Sequence, residues 1–360
     1  MPKEGIFIDT QTSIRHMLEL VERPAFCVDD GVIVYANSTA AAHLVPLGSP
    51  VAPLISVGAE EYAAFTHGCL YLRLTIEGTA YVTSVTNIDD HHIFTMSSDS
   101  ACQLQALALA AKELREPLNR IMSISDHLPR SITDDAQSAE LMARMNRGLY
   151  QLLRMVNNMS DAGAQTAPRM ELRDVTAVMQ ELFDQAAEYC ACVGVTLEFH
   201  NHPSTVYSLI DTQRIERAIY NMLSNSLKYT EHGGRITARL TRRQNTMYLT
   251  ISDSGSGMRL NESVAPFDRF RREPGIEDIR HGLGLGLTLV RNTAAVHGGT
   301  VLLDPTSESG TKITLSLPIR QNTSTVHSPF MHIDYAGEWN HALVELSDSL
   351  PYTLYTPNNR

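Results

Sequence analysis

Three polar residues of the chain, Asn221, Asn225 and Lys228, follow one another at spacings of four and three. At about 100° per residue, these positions fall within an arc of roughly 60° on one face of a helix. Two amides and one ammonium on a single face suit the binding of a magnesium-bound triphosphate. A polar helix face turned to solvent has the same composition, so this pattern alone leaves both interpretations open.

A carboxylate at the end of a predicted strand forms a second pattern. Asp253 follows a segment rich in β-branched residues and is followed by Gly255 and Gly257. A carboxylate accepts hydrogen bonds and can therefore bind the amino group of adenine. The two glycines would let the backbone approach a base closely. An Asp between a strand and a turn is also a common structural feature, so Asp253 alone indicates little.

A third pattern is the alternation of Gly282, Gly284 and Gly286 after a polar segment, 258–281. These glycines are predicted to begin a helix. Backbone N–H groups and the positive end of the helix dipole would then be available to phosphate groups.

The segment 112–119 reads Lys-Glu-Leu-Arg-Glu-Pro-Leu-Asn. It resembles the phosphoacceptor box of sensor histidine kinases, usually His-Glu-Leu-Arg-Thr-Pro-Leu-Asn, and six of the eight positions agree. The two differences fall on the positions that carry chemistry. Lys112 stands where the family has the phosphorylated histidine. Glu116 stands where the family has the Thr or Asn that serves to dephosphorylate its partner.

Further segments resemble the nucleotide-binding boxes of the same family and occur in its order. They are the N box at 221–230, the first glycine box at 253–257, the F box at 267–270, the second glycine box at 282–287 and the third at 310–311. Five boxes over about ninety residues indicate the α/β sandwich of the GHKL, or Bergerat, ATP-binding fold.

The resemblance implies ATP and Mg²⁺ as cofactors and gives roles to individual residues. Asn225 would coordinate Mg²⁺, Asn221 would support that polar cluster, and Lys228 would bind phosphate. The other residues implied in nucleotide binding are Tyr229, Asp253, Gly255, Gly257, Gly282, Gly284, Gly286 and Thr311. In the F box, Phe267 and Phe270 are expected to pack rather than to act in catalysis.

Lys112 puts phosphorylation at the usual site in doubt. In an active member of the family a neutral imidazole attacks the γ-phosphate, whereas a lysine ammonium is protonated at neutral pH and has no lone pair. Its charge could instead pair with the γ-phosphate or with Glu116. Glu113 stands at the position of the family's general base and has nothing to activate. We therefore predict a pseudokinase. The alternatives are an active histidine or protein kinase with another acceptor, and an ATP-independent scaffold in a heterodimer.

The helices and strands that the sequence predicts around these residues indicate a multidomain chain. Short strands and helices, including an Ala-rich helix from Asn37 through Val45, resemble an α+β PAS-like sensor, although a generic α+β input domain is also compatible. Two long amphipathic helices resemble the hairpin that dimerises into a four-helix bundle, with a kink at Pro117. The ATP-binding segment is predicted to include strands at 300–303 and 312–318. The predicted boundaries are 1–22 for an N-terminal helix, 23–97 for the sensor, 98–165 for the hairpin, 166–320 for the ATP-binding domain and 321–360 for a tail.

Composition limits the remaining classes. A length of 360 residues suggests two or three domains. A net charge of -11 without a Lys/Arg-rich block disfavours nucleic-acid binding. The five cysteines lack zinc spacing and suggest reduced thiols in a cytoplasmic protein. Apolar runs are too short for a membrane span. The expected partners are a second copy or another kinase, and a response regulator.

The tail contains the only tryptophan, Trp339, followed by a short amphipathic run at 342–350. A disordered tail and a tail that docks on this protein or on a partner are both compatible with this composition.

Overall fold

The computed structural model forms two compact units. Of the residues that it describes, the first unit holds 10–97 and 300–304, and the second holds the others. The described ranges are 10–21, 23–43, 45–88, 90–97, 101–126, 136–163, 167–257, 285–304, 310–321 and 340–356.

The first unit is an antiparallel sheet with short helices. Its elements are α1 (Thr10–Glu19), β1 (Ala25–Asp29), β2 (Val32–Ala36), α2 (Ser38–Ala42), β3 (Ile55–Val57), α3 (Ala59–Ala63), β4 (Cys69–Ile76), β5 (Thr79–Ile88) and β6 (His91–Ser97). The strand order is β2-β1-β6-β5-β4, and β3 also pairs with β4. The PAS-like character of this unit stays a prediction.

Strand β1 is buried on both faces, which explains its nearly continuous apolar sequence. Phe26 stacks on Phe94 with ring centroids 4.8 Å apart, inside the main apolar cluster of the unit. Cys27, which points to the opposite face, packs with Ile14 and Leu18 of α1. Helix α1 therefore covers the face of β1 that the main cluster leaves open.

Asn37 organises the start of the first unit through its buried amide group. Its Oδ1 accepts the N–H groups of Ala25 at 3.0 Å and Ala40 at 2.8 Å, so it also caps α2. Its Nδ2 lies within hydrogen-bond distance of three carbonyl oxygens that share its two N–H bonds, those of Leu18 at 3.1 Å, Val21 at 3.0 Å and Arg23 at 2.8 Å. The helix that follows is shorter than predicted, because it ends at Ala42 rather than at Val45.

The second unit begins with two long helices, α4 (Ala101–Asp126) and α5 (Ala136–Gly163). The helices run antiparallel, since Arg115 hydrogen-bonds to Asn157 at 2.7 Å and Ser125 to Asn146 at 2.5 Å. Helix α4 continues through Pro117. The predicted kink there and the four-helix bundle stay predictions.

The rest of the second unit is a layer of helices on a mixed sheet. Its elements are β7 (Glu171–Asp174), α6 (Val175–Cys192), β8 (Thr196–His200), β9 (Tyr207–Ile210), α7 (Thr212–Tyr229), β10 (Arg235–Arg243), β11 (Thr246–Asp253), α8 (Gly286–His297), β13 (Lys312–Pro318) and α9 (His341–Glu345). The order in the main sheet is β13-β11-β10-β8, and β7 pairs separately with β9. Among these pairs, β8 and β10 run parallel to each other, and the other pairs are antiparallel.

One strand differs from the sequence prediction. Strand β7 was not predicted, because its sequence Glu-Leu-Arg-Asp lacks an apolar pattern. The strand predicted at 300–303 is present as β12 (Val301–Asp304), and it pairs with β4. Its register aligns Val301 with Tyr71.

The tail segment 340–356 is docked on the second unit rather than extended. Leu343, Val344, Leu346 and Leu350 are each at most 1% exposed. Trp339 and the residues before it, from 322, lie outside the described residues. None of the helices in the described part of the chain combines the length and the apolar character needed to cross a membrane.

We predict that Asn37→Ala destabilises the first unit by about 2 to 5 kcal/mol, because buried N–H and carbonyl groups lose their partner. The measurement is hydrogen exchange of the β1 amides in the full chain. The control is Asn87→Ala, which removes one exposed hydrogen bond to the Thr66 carbonyl, 2.6 Å long, and should cost under about 1.5 kcal/mol. Equal effects of the two substitutions would contradict the role given to Asn37.

Candidate functional site

Helix α7, which carries the polar face, is fixed at its first turn. The side chain of Asp211 accepts the N–H of Arg214 at 3.1 Å and caps the helix. The N–H of Asp211 in turn donates to Nε2 of His297 in α8 at 2.9 Å, while Nδ1 of His297 donates to the Thr293 carbonyl at 2.8 Å. Burial lowers the pKa of His297, which favours this neutral form. Helices α7 and α8 are thereby held in register.

The two asparagines of the α7 face differ in their surroundings. Asn221 is 1% exposed; its Nδ2 donates to the Arg217 carbonyl at 2.8 Å, and its Oδ1 accepts Arg154 of α5 at 3.3 Å. Asn225 is partly exposed, and among the described residues no group hydrogen-bonds to its side chain. Asn221 is thus part of the scaffold, whereas Asn225 is accessible.

Lys228, the cation of the face, is held by the tail. Its Nζ lies 3.2 Å from Oδ2 of Asp348, and Nη1 of Arg154 lies 2.6 Å from the same oxygen. The side chain of Lys228 is therefore only 10% exposed. The sequence predicted a phosphate ligand at Lys228 and did not predict this carboxylate.

Asp253 occupies the last inward position of β11, whose residues alternate between buried and partly exposed. Its Oδ1 accepts the N–H groups of Gly255 and Thr311, both at 3.1 Å. Burial raises the pKa of Asp253, and hydrogen bonds from Thr311, Gly255 and the Ser226 side chain partly offset that rise. The carboxylate is thus preformed at the end of the strand, between α7 and the loop that precedes β13.

Gly255 brings the chain after β11 against the end of α7. A Cβ atom at Gly255 would lie 2.3 Å from the Tyr229 carbonyl oxygen. The same carbonyl accepts the N–H of Ser256 at 3.3 Å. Gly257 follows with a φ of +74°, a conformation that favours glycine. Tyr229, Gly255 and Gly257 are therefore brought together, as their predicted shared role requires.

Two further glycines make close approaches. Gly310 has a φ of +96°, and a Cβ there would lie 1.7 Å from the Asp253 carbonyl oxygen. Gly286 begins α8 beside Asn221, whose Oδ1 would be 2.9 Å from an added Cβ. The N box, the first and third glycine boxes and the last glycine of the second box thus converge on one place.

Several predicted site residues lie outside the part of the chain that the structure describes. They are Gly282, Gly284, Phe267, Phe270 and the polar segment before them, all within 258–284, which lies outside the described residues.

Lys112 and Glu113 are exposed on α4. Among the residues that the structure describes, neither forms a hydrogen bond or an ion pair, so no contact joins them to the α7 face. Glu116 pairs with Arg120 one helical turn later. The suggested pairing of Lys112 with Glu116 is therefore not the one observed.

The sequence missed two contributors to this site. Arg154 reaches Asn221 from a separate helix, and no local pattern indicates such a contact. Ser226 hydrogen-bonds to Asp253 although it lies about 140° around the helix from Asn221. Each contact depends on tertiary packing that sequence spacing does not report.

We predict that Gly310→Ala destabilises the second unit by several times the cost of Gly233→Ala. Both glycines have positive φ, +96° and +83°, but a Cβ at Gly233 meets nothing within 4 Å. The control should therefore cost about 1 to 2 kcal/mol, the left-handed penalty alone. Urea unfolding followed by circular dichroism measures both, and comparable losses would contradict the close approach of Gly310 to Asp253.

Comparison with known proteins agrees with this geometry. Residues 210–321 match the family model described as "Histidine kinase-, DNA gyrase B-, and HSP90-like ATPase". The crystal structure of full-length ShkA with AMPPNP is similar at 20% identity over 60% of this chain and 46% of that chain, with a TM-score of 0.48. The mycobacterial sensor histidine kinase MprB has 28% identity over 42% of this chain and 98% of its own, with a TM-score of 0.35.

Curated relatives include histidine kinases of several organisms. Hybrid signal transduction histidine kinase D of Dictyostelium discoideum is 30% identical over 61% of this chain and 15% of its own length. Histidine protein kinase DivJ of Caulobacter vibrioides is 26% identical over 61% and 38%. Signal transduction histidine-protein kinase BaeS of Escherichia coli is 26% identical over 63% and 49%. The chain thus spans less than half of each of these relatives. The matches support a relationship to sensor histidine kinases, and residues 210–321 form a histidine kinase-like ATPase domain.

Proposed function

We propose that this chain is a cytoplasmic signal transduction protein related to sensor histidine kinases, that it binds Mg-ATP on the α7 face, and that it acts as a pseudokinase. The observation that carries the nucleotide site is the buried carboxylate of Asp253, which lies within the matched ATPase domain. A Cβ atom at Gly255 or at Gly310 would lie 3.0 Å from Oδ1 of Asp253. Glycine at both positions therefore leaves room for the carboxylate.

Each residue has a chemical role in this proposal. The Asp253 carboxylate accepts a hydrogen bond from the adenine amino group, while Tyr229, Gly255 and Gly257 flank the base. Lys228 attracts phosphate oxygens, and Thr311 orients Asp253 through its N–H group. The N–H group of Gly286, at the start of α8, serves the phosphates. Gly282 and Gly284 lie outside the described residues, and the sequence pattern gives them the same role.

The metal requirement fits the residues present. Among the described residues no cluster of three His, Cys, Asp or Glu side chains could hold a metal ion. Mg²⁺ usually keeps several waters and takes one or two protein ligands beside substrate phosphates. The accessible amide oxygen of Asn225 suffices as such a ligand. Bound Mg²⁺ would neutralise part of the phosphate charge.

The histidine that accepts the phosphoryl group in the family is absent from its usual position, which Lys112 occupies. Lys112 carries an ammonium without a lone pair, and Glu113 has no imidazole to activate. Glu116, paired with Arg120, would repel an incoming aspartyl phosphate. ATP binding would therefore act on conformation rather than through phosphorylation of Lys112.

Exposed apolar side chains support dimerisation through the hairpin. Two stripes at helical spacing are 37% to 61% exposed: Leu114 and Ile121 on α4, and Leu141, Met145, Leu152 and Met155 on α5. Such surface is rarely left to water in a contiguous patch. We infer a homodimer, or a heterodimer with another kinase, with a PAS-like sensor at 23–97 as input and a response regulator as the partner.

We predict that Asp253→Asn weakens ATP binding by about tenfold to hundredfold, the value of a hydrogen bond to a charged group. The fold should persist, because the amide oxygen can still accept the N–H groups of Gly255 and Thr311. GTP should gain relative to ATP, since the new N–H₂ group can donate to the guanine carbonyl. Calorimetric titration with both nucleotides measures the preference. The control is Asp184→Asn on the exposed face of α6. An unchanged ATP preference would remove Asp253 from the base site.

We predict that wild-type protein incubated with γ-labelled ATP and Mg²⁺ binds nucleotide but retains no label, whereas Lys112→His becomes labelled. The reason is that histidine restores a lone pair beside Glu113. Lys112→Ala is the matched control and should stay unlabelled. Adding Asn225→Ala to Lys112→His should abolish the label by removing the metal ligand.

Label on the wild type would favour the alternative of an active kinase with another acceptor. Failure of every variant to bind ATP would favour an ATP-independent scaffold.

A further inference from the structure

The carboxylate of Asp348 is held between two cations from different helices. Its Oδ2 lies 2.6 Å from Nη1 of Arg154 on α5 and 3.2 Å from Nζ of Lys228 on α7. The three side chains are 13%, 6% and 10% exposed, respectively. Charges that are this well shielded from water interact strongly. The three side chains therefore form a buried anion-binding site rather than a surface ion pair.

A second tail carboxylate continues the network. Glu345 is fully buried, with Oε1 at 3.1 Å from Nε of Arg217 and Oε2 at 3.5 Å from Nε of Arg154. Arg217 also pairs with Asp161 of α5. Burying a cation requires a nearby anion. The tail therefore supplies negative charge that α5 and α7 need, and the second unit without it would attract anions to this place.

The anion site overlaps the nucleotide face. Nη2 of Arg154 donates to Oδ1 of Asn221 at 3.3 Å. Lys228 lies on the same arc of α7 as Asn221 and Asn225. Asp348 therefore sits at the cationic end of the face to which we assign the triphosphate. Carboxylate and phosphate oxygens satisfy ammonium and guanidinium groups in the same way.

We propose that Arg154 and Lys228 form one anion site with two mutually exclusive occupants, the carboxylate of Asp348 and the phosphates of a nucleotide. The second occupant rests on the nucleotide function proposed above. Arg154 is then a phosphate ligand supplied by the helical hairpin, in addition to the residues of the ATPase domain. Phosphate binding expels the turn around Asp348, and tail docking lowers nucleotide affinity by the same factor, since coupling between two ligands is reciprocal.

The turn that carries Asp348 is suited to such exchange. It is held by hydrogen bonds from Arg147 to the carbonyls of Ser347 and Asp348, both 3.2 Å, and from Gln151 to Ser347 at 3.3 Å. These bonds to partly buried groups can be replaced by water when the turn leaves. Leu346 and Leu350 are fully buried on either side and favour return when phosphate dissociates.

The test measures affinity and tail docking separately in the full chain. ATP and inorganic tripolyphosphate are titrated into wild type, Asp348→Asn and the exposed-site control Asp184→Asn. Asp348→Asn should bind both ligands at least about fivefold more tightly, the lower range of measured couplings. The control should match wild type. A tail that undocks in Asp348→Asn also vacates the site, so the expected direction is unchanged. Equal or weaker binding by Asp348→Asn would overturn the proposal.

Hydrogen exchange of residues 343–350 in wild type needs no variant and gives the second readout. Saturating tripolyphosphate should raise exchange of the Ser349 and Leu350 amides, which donate to the Leu346 carbonyl. Unchanged exchange, with ATP bound, would overturn the shared site while leaving the nucleotide function intact. Faster exchange with tripolyphosphate, but no ATP binding by any variant, would support the anion site and remove the nucleotide function.

Discussion

Two backbone N–H groups, those of Gly255 and Thr311, converge on the carboxylate of Asp253, and the candidate site depends on this contact. The pair of hydrogen bonds fixes the segment after β11 and the segment before β13 at the same point. The end of α7 joins them because Gly255 lies against the Tyr229 carbonyl. Burial raises the pKa of Asp253 because it removes the charged carboxylate from water.

Local patterns predicted the parts of the site that follow from one helix or one strand. The spacing of Asn221, Asn225 and Lys228 needs only the helical period, and the inward direction of Asp253 needs only strand alternation. The sequence did not reveal β7, whose four residues are polar or charged except Leu172. Nothing in the sequence of β12 indicated that β4 is a pairing partner.

Contacts between segments that are distant in sequence could not be predicted from local patterns. Arg154 meets Asn221 across 67 residues of sequence, and Arg217 meets Glu345 across 128. Neither arginine lies in a motif, so only packing reveals them. Arg115 of the phosphoacceptor-like box bonds to Asn157, and the adjacent Asn158 bonds to Arg217. Burial and the proximity of Arg217 lower the pKa of Arg115. Polar contacts thus run from that box to the α7 face through α5.

The position of the tail carboxylates late in the chain has a consequence during synthesis. Residues 340–356 leave the ribosome after α5 and α7 are complete. Until then Arg154, Arg217 and Lys228 lack the carboxylates of Glu345 and Asp348. A chain synthesised only as far as α7 would therefore carry these three cations without the carboxylates that the tail supplies.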